Sequence, residues 1–514
     1  MTRRSFLTGG AAVLGGFFAP EWFVGTGLAA SKAKPYIRYN VNTTQGQAML
    51  DKLASAVEIM KSGQYADCDP HSYTFQWFTH WTQEYQAFQY DKSTQYKEQY
   101  IQDNCSGQDA SLAEAMWNGC QAHGIDNNDP THYQEWFFPP WHRAYLYYFE
   151  QIVRNVLGDS GFSLPYWNPA SGNVADLSIP AEFRDTSSPL YDDTRYTPIN
   201  NGVRIDNVVL APNWLSMICL KEPSYINSPT GGIGFCPAVD INPHFLVHIG
   251  LGGDMSNGFN TVVKDPIFWV HHANIDRLWE SWNRLRGGNN PTSSQWLNRT
   301  FQWADPNGNP VNVSVSASKR VSQLGYQYDS YSVPPKSGKA SDPQTDAANR
   351  MPEVMVAAAS GGPILAPGAA ALPLPPVVAE GERTAMPLTR RVEALPPGRQ
   401  IYLVLKGVRA NVATSTAYGI YFDLPKGIAP SGGSDPHFVA ALPVMRGHAH
   451  GSQMAFNITE TLLRLNGNKM LGAKENTISI IPNGIAAAGT LSEKDLCGKA
   501  IAGATIEQIA LIER

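Results

Sequence analysis

The chain has 514 residues, enough for two or three domains with sizeable cores. Its formal net charge of -5 and charged content of 16% lack the basic surplus that a nucleic-acid or polyanion partner would require. Hydrophobic residues make up 43% of the chain, and 13 Trp, 22 Tyr and 20 Phe point to a large aromatic core.

The N-terminus reads Met1-Thr2-Arg3-Arg4-Ser5-Phe6-Leu7, followed by an uncharged run from Thr8 to Pro20 and the small-residue stretch Gly27-Leu28-Ala29-Ala30. Paired arginines before a short apolar segment indicate a twin-arginine export signal over residues 1–30, hence a periplasmic or secreted protein. That pathway carries folded proteins, so a metal can be loaded before translocation. The run is too short and Gly-rich to span a bilayer, so no stable membrane anchor is expected after processing. Six cysteines in an exported chain are candidates for disulfides, although six allow 15 pairings. No Cys-x-x-Cys pair occurs, so a zinc-ribbon site is not expected.

The stretch from Gln47 to Met60 has apolar residues at helical spacing and predicts the first helix. An aromatic segment, Ser72 to Trp81, carries His80; His71 at its Pro-bounded start reads as an exposed polar residue. Cys120 and His123 follow in Met116 to Gly124, then a polar loop, His132, and Phe137-Phe138-Pro139-Pro140-Trp141-His142-Arg143, which opens an aromatic helix. From Asn168 to Pro243 the chain is rich in Pro, Asp, Asn and Gly and reads as long loops around a helical core.

His244 and His248 then stand four residues apart, a spacing that points two imidazoles from one helix face at one spot. The block Asp265-Pro266-Ile267-Phe268-Trp269-Val270-His271-His272-Ala273-Asn274-Ile275-Asp276-Arg277-Leu278-Trp279 offers a third. Adjacent helical residues diverge by about 100°, so the two members of the doublet do not reach one ion together. The reading takes His272 as ligand, His271 as a packed neighbour and Asp276 as a group that orients a ligand from behind. Neutral imidazoles suit copper, zinc, iron and nickel alike. The helix stops at Gly287-Gly288.

Residues 333–397 read as a Pro/Ala-rich linker; the stretch from Val354 to Ala379 lacks charge, but its five prolines argue against a spanning helix. Beyond it, IYLVLKGV, YGIYFDL, FVAALPV and TISIIPN read as strands of a β-rich, sandwich-like domain over residues 398–514. His448 and His450 alternate there and read as part of a solvated hairpin rather than a metal site.

The 265–279 block, preceded by His-x-x-x-His, resembles the second-copper motif of the tyrosinase, catechol oxidase and molluscan haemocyanin superfamily, in which the second histidine of the doublet is the ligand. The Ser-aromatic-x-x-Gln-x-x-x-His pattern ending at His80 is similar to the segment giving the first ligand of the first copper. Phe-Phe-Pro-Pro-Trp-His-Arg is similar to the segment giving its third, with one proline more than usual. For the middle ligand, His123 resembles the motif of some bacterial members and is favoured, while His132 lies nearer the common spacing to His142. Some members join a cysteine to this histidine, but the spacing of Cys120 matches poorly. Gly161 to Asn168, containing Leu-Pro-Tyr-Trp-Asn, and Tyr326-Gln327-Tyr328, with Arg38 packed against it, resemble further family elements, so the likeness spans roughly residues 36 to 332.

The resemblance implies a mainly α catalytic domain over residues 35–332. There a four-helix bundle holds two copper ions through His80, His123, His142, His244, His248 and His272. It also implies a β-rich C-terminal domain like that of plant and some bacterial polyphenol oxidases, which covers the site and can keep the enzyme latent. The expected partners are dioxygen and a small phenol, the expected product an o-quinone. Asp240 stands where plant-type members have a water-holding glutamate, one carbon shorter. Phe245 stands where efficient tyrosinases often carry Asn; a phenyl group cannot accept a proton, so oxidation of o-diphenols leads over hydroxylation of monophenols. Phe259 matches the plant residue that stacks over the second copper. Full tyrosinase and o-aminophenol oxidase activity are the alternatives, and a haemocyanin-like oxygen carrier is the competing class. A hydrolytic dinuclear zinc site would want bridging carboxylates, which these motifs lack.

Overall fold

The computed structural model describes residues 34–80, 101, 103–120, 137–208, 210–226, 233–256, 261–287, 289–335, 354–365, 370–378, 384–410, 416–444, 454–472, 475–482 and 504–513. The proposed export signal, His123, His132, Phe259, His448, His450 and Cys497 lie outside the described residues.

The helical part begins with α1 (Thr44–Lys61), where the Thr43 side chain accepts from the Gly46 amide and Leu50, Leu53, Val57 and Met60 form one buried face. Ser72 caps the short α2 (Tyr73–Phe78) by accepting from the Phe75 amide. A disulfide from Cys68 to Cys105 ties the approach to α2 to the chain that leads into α3 (Gly107–Asn118). Helix α4 (Phe138–Leu157) carries its two prolines in the first turn, where no intrahelical amide bond is lost, and ends at Gly158 with φ +60. The six-residue α5 (Leu246–Leu251) and the long α6 (Ile267–Leu285) complete the set that positions the site. Every residue of α6 from Ile267 to Asn283 is buried, as befits a helix covered on all sides. Its Trp269 ring lies flat on Phe149 of α4, with centroids 3.4 Å apart.

Four strands, β1 (Tyr36–Arg38), β2 (Thr300–Ala304), β3 (Pro310–Ser314) and β4 (Tyr326–Tyr328), close this part of the molecule. β1 pairs with β4 in parallel, bringing the two ends of the helical part together, while β2 and β3 form a hairpin. His71 is not exposed as expected: its ring is half-buried, facing the Asp69 carboxylate (2.7 Å) and the Pro306 carbonyl (3.0 Å) of the turn between β2 and β3.

The parallel pair frames a buried charge cluster. On α6, Asp276 accepts from Arg143 Nε of α4 at 2.5 Å, from Tyr326 Oη at 2.5 Å, from Tyr328 Oη at 2.6 Å and from Arg38 Nη1 at 3.4 Å. Arg38 also donates to Glu150 at 2.8 Å, and its guanidinium lies 3.8 Å from the Tyr326 ring centre. Burial alone would lower the Arg143 and Arg38 pKa values, but the carboxylates beside them drive both upward. The two tyrosines are pushed up by burial and then by Asp276, so they stay phenols and donate.

The C-terminal part consists of two antiparallel sheets. One has the order β10 (Phe438–Val444), β9 (Thr416–Phe422), β12 (Asn476–Pro482), β6 (Ala370–Leu374). The other runs β11 (Met454–Asn457), β7 (Ile401–Lys406), β13 (Ala504–Glu513), β5 (Val354–Leu365), with β8 (Arg409–Ala410) paired to β13. The four strands read from sequence are β7, β9, β10 and β12.

The stretch read as a linker, 333–397, differs from expectation, for it supplies β5, β6 and the helix α7 (Leu388–Glu393). Both strands lie at sheet edges, where a missing amide donor is tolerated; Pro363 pairs across from Thr505 and Pro373 from Thr477. Two of the prolines that argued against a spanning helix there, Pro363 and Pro373, lie within these edge strands.

The sheets meet the helical part beside the site. The Trp214 indole stacks on Phe438 of β10, with centroids 6.1 Å apart and planes 12° apart. A Cβ at Gly419 would come within 2.9 Å of that indole, so the close approach of β9 requires glycine. The Trp214 carbonyl accepts from Asn242 Nδ2 at 2.9 Å, two residues before His244. Among the described residues no helix is long and apolar enough to cross a membrane.

Replacing Asp276 by Asn strips the carboxylate from two buried guanidinium groups, a loss of about 3–5 kcal/mol for a broken buried pair. The expected outcome is a large fall in melting temperature by calorimetry, whereas Lys52→Ala, which removes a surface pair with Asp159, shifts it little.

Candidate metal centre

The chain leaves a short helix at Val239, kinks at Asn242, whose backbone is extended (φ -147, ψ 118), and enters α5. This places His244 just after the kink and His248 inside α5, both buried, with ring centroids 4.5 Å apart. From α6, His272 meets them. Its Nε2 lies 3.3 Å from that of His244 and 3.3 Å from that of His248, and the latter two are 3.0 Å apart. Three nitrogens bonded to one ion at about 2.0 Å in tetrahedral geometry stand about 3.3 Å from one another. The three imidazoles therefore fit a single ion.

The rings are also turned the right way. His244 Nδ1 faces the Asp240 carboxylate at 2.9 Å, and His248 Nδ1 faces the Met255 carbonyl at 2.8 Å. Each acceptor takes the proton on Nδ1, leaving the Nε2 lone pair for the metal. Asp240 thus backs the His244 ring. Asp276, expected to orient a ligand, is occupied instead by Arg143, Arg38 and the two tyrosines.

His271 takes its place beside the trio rather than in it. One ring nitrogen from each of His244, His248, His271 and His272 lies within 4.8 Å of the others. The Nε2 atoms of His244, His248 and His272 stand 3.0–3.3 Å apart, the spacing that one ion needs. The His271 ring is parallel to that of His244 at 5.6 Å and faces the His244 backbone. Burial first, and the neighbouring imidazoles next, hold His271 and His272 well below the usual imidazole range, so both are neutral and His272 is free to ligate.

The opposite half is supplied by His80, two residues past the end of α2, and His142 in the second turn of α4, both buried. Their ring centroids are 5.6 Å apart. The Phe138 carbonyl faces His142 Nδ1 at 2.9 Å, which again leaves Nε2 for a ligand role. The His142 ring stacks on His272 at 4.3 Å, so the two halves abut. The third imidazole of this half, whether His123 or His132, lies outside the described residues, as does Phe259. Phe245 is buried with its ring 5.2 Å from that of His244.

Some parts of the centre were not read from the sequence. Phe268 stacks on His272 at 4.0 Å and meets His80 edge-on at 5.0 Å, while Phe138 packs against His142 at 4.7 Å and His244 at 4.8 Å. Phe268 precedes His272 by four residues, a spacing that places it on the ligand face, so that signal was available. The Met255 carbonyl, set by a turn after α5, had none.

Residues 70–214 and 200–285 match the family model described as the common central domain of tyrosinase. A tyrosinase of Hahella sp. is 34% identical over 243 residues, which are 42% of this chain and 49% of that protein. The latent form of a chloroplastic polyphenol oxidase from Prunus armeniaca is 33% identical over 263 residues, 44% of this chain and 43% of that protein. The chain spans about half the length of the curated relatives it matches. The solved structure of a latent apple tyrosinase superposes with a TM-score of 0.59 at 20% identity, covering 94% of this chain and 98% of that one, a likeness of fold that takes in both the helical part and the sheets.

If Asp240 sets the proton on His244, Asp240→Leu lowers the metal affinity of this half by about 10–100-fold, while Asp240→Asn, which keeps an acceptor oxygen, retains most of it. Metal titration against a competing chelator reads the difference; equal affinities for the two variants would remove Asp240 from the site.

Proposed function

The chain carries a tyrosinase-family central domain, and from that premise we propose that it is a copper-dependent polyphenol oxidase, converting o-diphenols to o-quinones with dioxygen. The observation that carries the reading is the trio of buried Nε2 atoms 3.0–3.3 Å apart, two with the proton held on Nδ1 by a fixed acceptor. His244, His248 and His272 would hold one copper; His80, His142 and His123 (or His132 in its stead) would hold the other. When bound, the pair supplies the electron exchange with dioxygen that side chains alone lack.

The chain's own part is to hold, orient and exclude. Six neutral imidazoles bring no net charge, so the charge change falls on the metals. Phe138 and Phe268 pack between the two sets of rings and keep water from the imidazoles. Each catechol gives up two protons and two electrons; two catechols reduce one dioxygen to two waters. Phe245 has no group that takes a proton from a monophenol, which supports the diphenol reading over hydroxylation. Docking of β9 and β10 on Trp214, beside the turn that delivers His244, supports a latent form relieved by cleavage. Arg3-Arg4 and the following apolar run support export of the folded, loaded protein.

Oxygen uptake by the copper-loaded chain, intact and cut within residues 336–353, tests this with a catechol and its monophenol. Catechol turnover well above monophenol turnover, rising on cleavage, is expected. Comparable monophenol rates would remove Phe245 as the determinant, and reversible oxygen binding without turnover would replace the oxidase by a carrier.

A further inference from the structure

Helix α2 has six residues, too few to hold its own ends, and it stops at Phe78, two residues before His80. Its last carbonyls therefore need partners other than the next turn. The Phe75 carbonyl takes the Thr79 amide at 3.4 Å and the Thr79 hydroxyl at 3.0 Å. In a helix that continued, the Gln76 carbonyl would take the amide four residues on, which is that of His80. It accepts instead from the Tyr145 hydroxyl of α4, with the Thr79 hydroxyl as a longer second donor at 3.3 Å. Gln76, Thr79 and Tyr145 are all buried, so bulk water does not replace a donor lost there.

Tyr145 stands three residues after His142, on the same face of α4. Its hydroxyl thus joins the helix that carries one imidazole of this half to the end of the helix that delivers the other. The ring is fixed as well. It lies 29° from the plane of the His80 ring with centroids 6.1 Å apart, and it packs on Trp141 and Trp269, each at 4.9 Å. Burial pushes the phenol well above its ordinary range, so the hydroxyl stays a donor. His142 has a separate anchor in the Phe138 carbonyl, so the bond from Tyr145 bears on His80.

We propose that Tyr145 is a positioning residue of the metal centre. By taking the Gln76 carbonyl it ends α2 at Phe78 and turns His80 toward His142. The metal affinity of this half then depends on a hydroxyl directed at a backbone carbonyl rather than at a ligand. The proposal rests on the reading of His80 and His142 as ligands of one ion.

Titration of the full chain with copper(I) against a competing chelator tests it one half at a time. His248→Ala disables the second half and leaves the first to be measured; His80→Ala does the reverse. Tyr145→Phe keeps the ring and removes the hydroxyl. In the His248→Ala chain it is expected to lower the affinity by about tenfold or more and to change the copper(II) EPR spectrum. In the His80→Ala chain it is expected to leave the affinity unchanged, which also shows that the variant folds. Equal losses in the two chains would overturn the proposal in favour of general packing, and an unchanged first half would overturn it outright. No copper binding by the His248→Ala chain with Tyr145 in place would remove the metal reading of His80 and His142, and the proposal with it.

Discussion

The buried carboxylate of Asp276 is the constraint on which the rest of the helical part depends. It receives Arg143 from α4, Arg38 from β1 and the hydroxyls of Tyr326 and Tyr328 from β4, so three distant stretches of chain converge on α6. Desolvating such a charge is costly, and the cost is offset only when every partner is in place. The residue beside Arg143 is His142, and the residue one turn before Asp276 is His272. The ion pair that joins the two helices therefore also sets the spacing of an imidazole from each half of the centre, whose rings stack at 4.3 Å.

A second level of order acts on the rings themselves. Each of His142, His244 and His248 has its Nδ1 directed at an oxygen: the Phe138 carbonyl, the Asp240 carboxylate and the Met255 carbonyl. Geometry of this kind prepares Nε2 lone pairs before any ion arrives, and burial keeps His271 and His272 uncharged. The sheets reach the same place from outside. Phe438 covers Trp214, whose carbonyl holds Asn242, and His244 follows two residues later. The domain contact and the segment that delivers His244 thus share Trp214.

Much of this was legible because helical spacing is a strong constraint. His244 and His248 at i and i+4 follow from helical spacing; the turn angle excludes His271 and His272 acting together, and the family resemblance takes His272, whose Nε2 lies 3.3 Å from those of His244 and His248. Roles decided by tertiary partners were less legible. Asp276 shares a face with His272, but Arg143 competes for its carboxylate from a helix more than a hundred residues away. Asp240 was likened to a water-holding position by spacing, and the kinked segment sets its carboxylate against His244 Nδ1. Prolines in 354–374 concealed two edge strands, because sequence alone does not distinguish an edge from a linker. The central strand β13 carries Glu507 and Gln508 amid short apolar runs, and its pairing with β7 and β5 reveals its position.

Diffraction from copper-loaded crystals, with anomalous scattering recorded at the copper edge, tests the central claim most directly. The account predicts two copper peaks, one about 2.0 Å from the Nε2 atoms of His244, His248 and His272 and the other bound by His80 and His142 with a third imidazole. A single peak, or a copper ligated by His271 in place of His272, would contradict it.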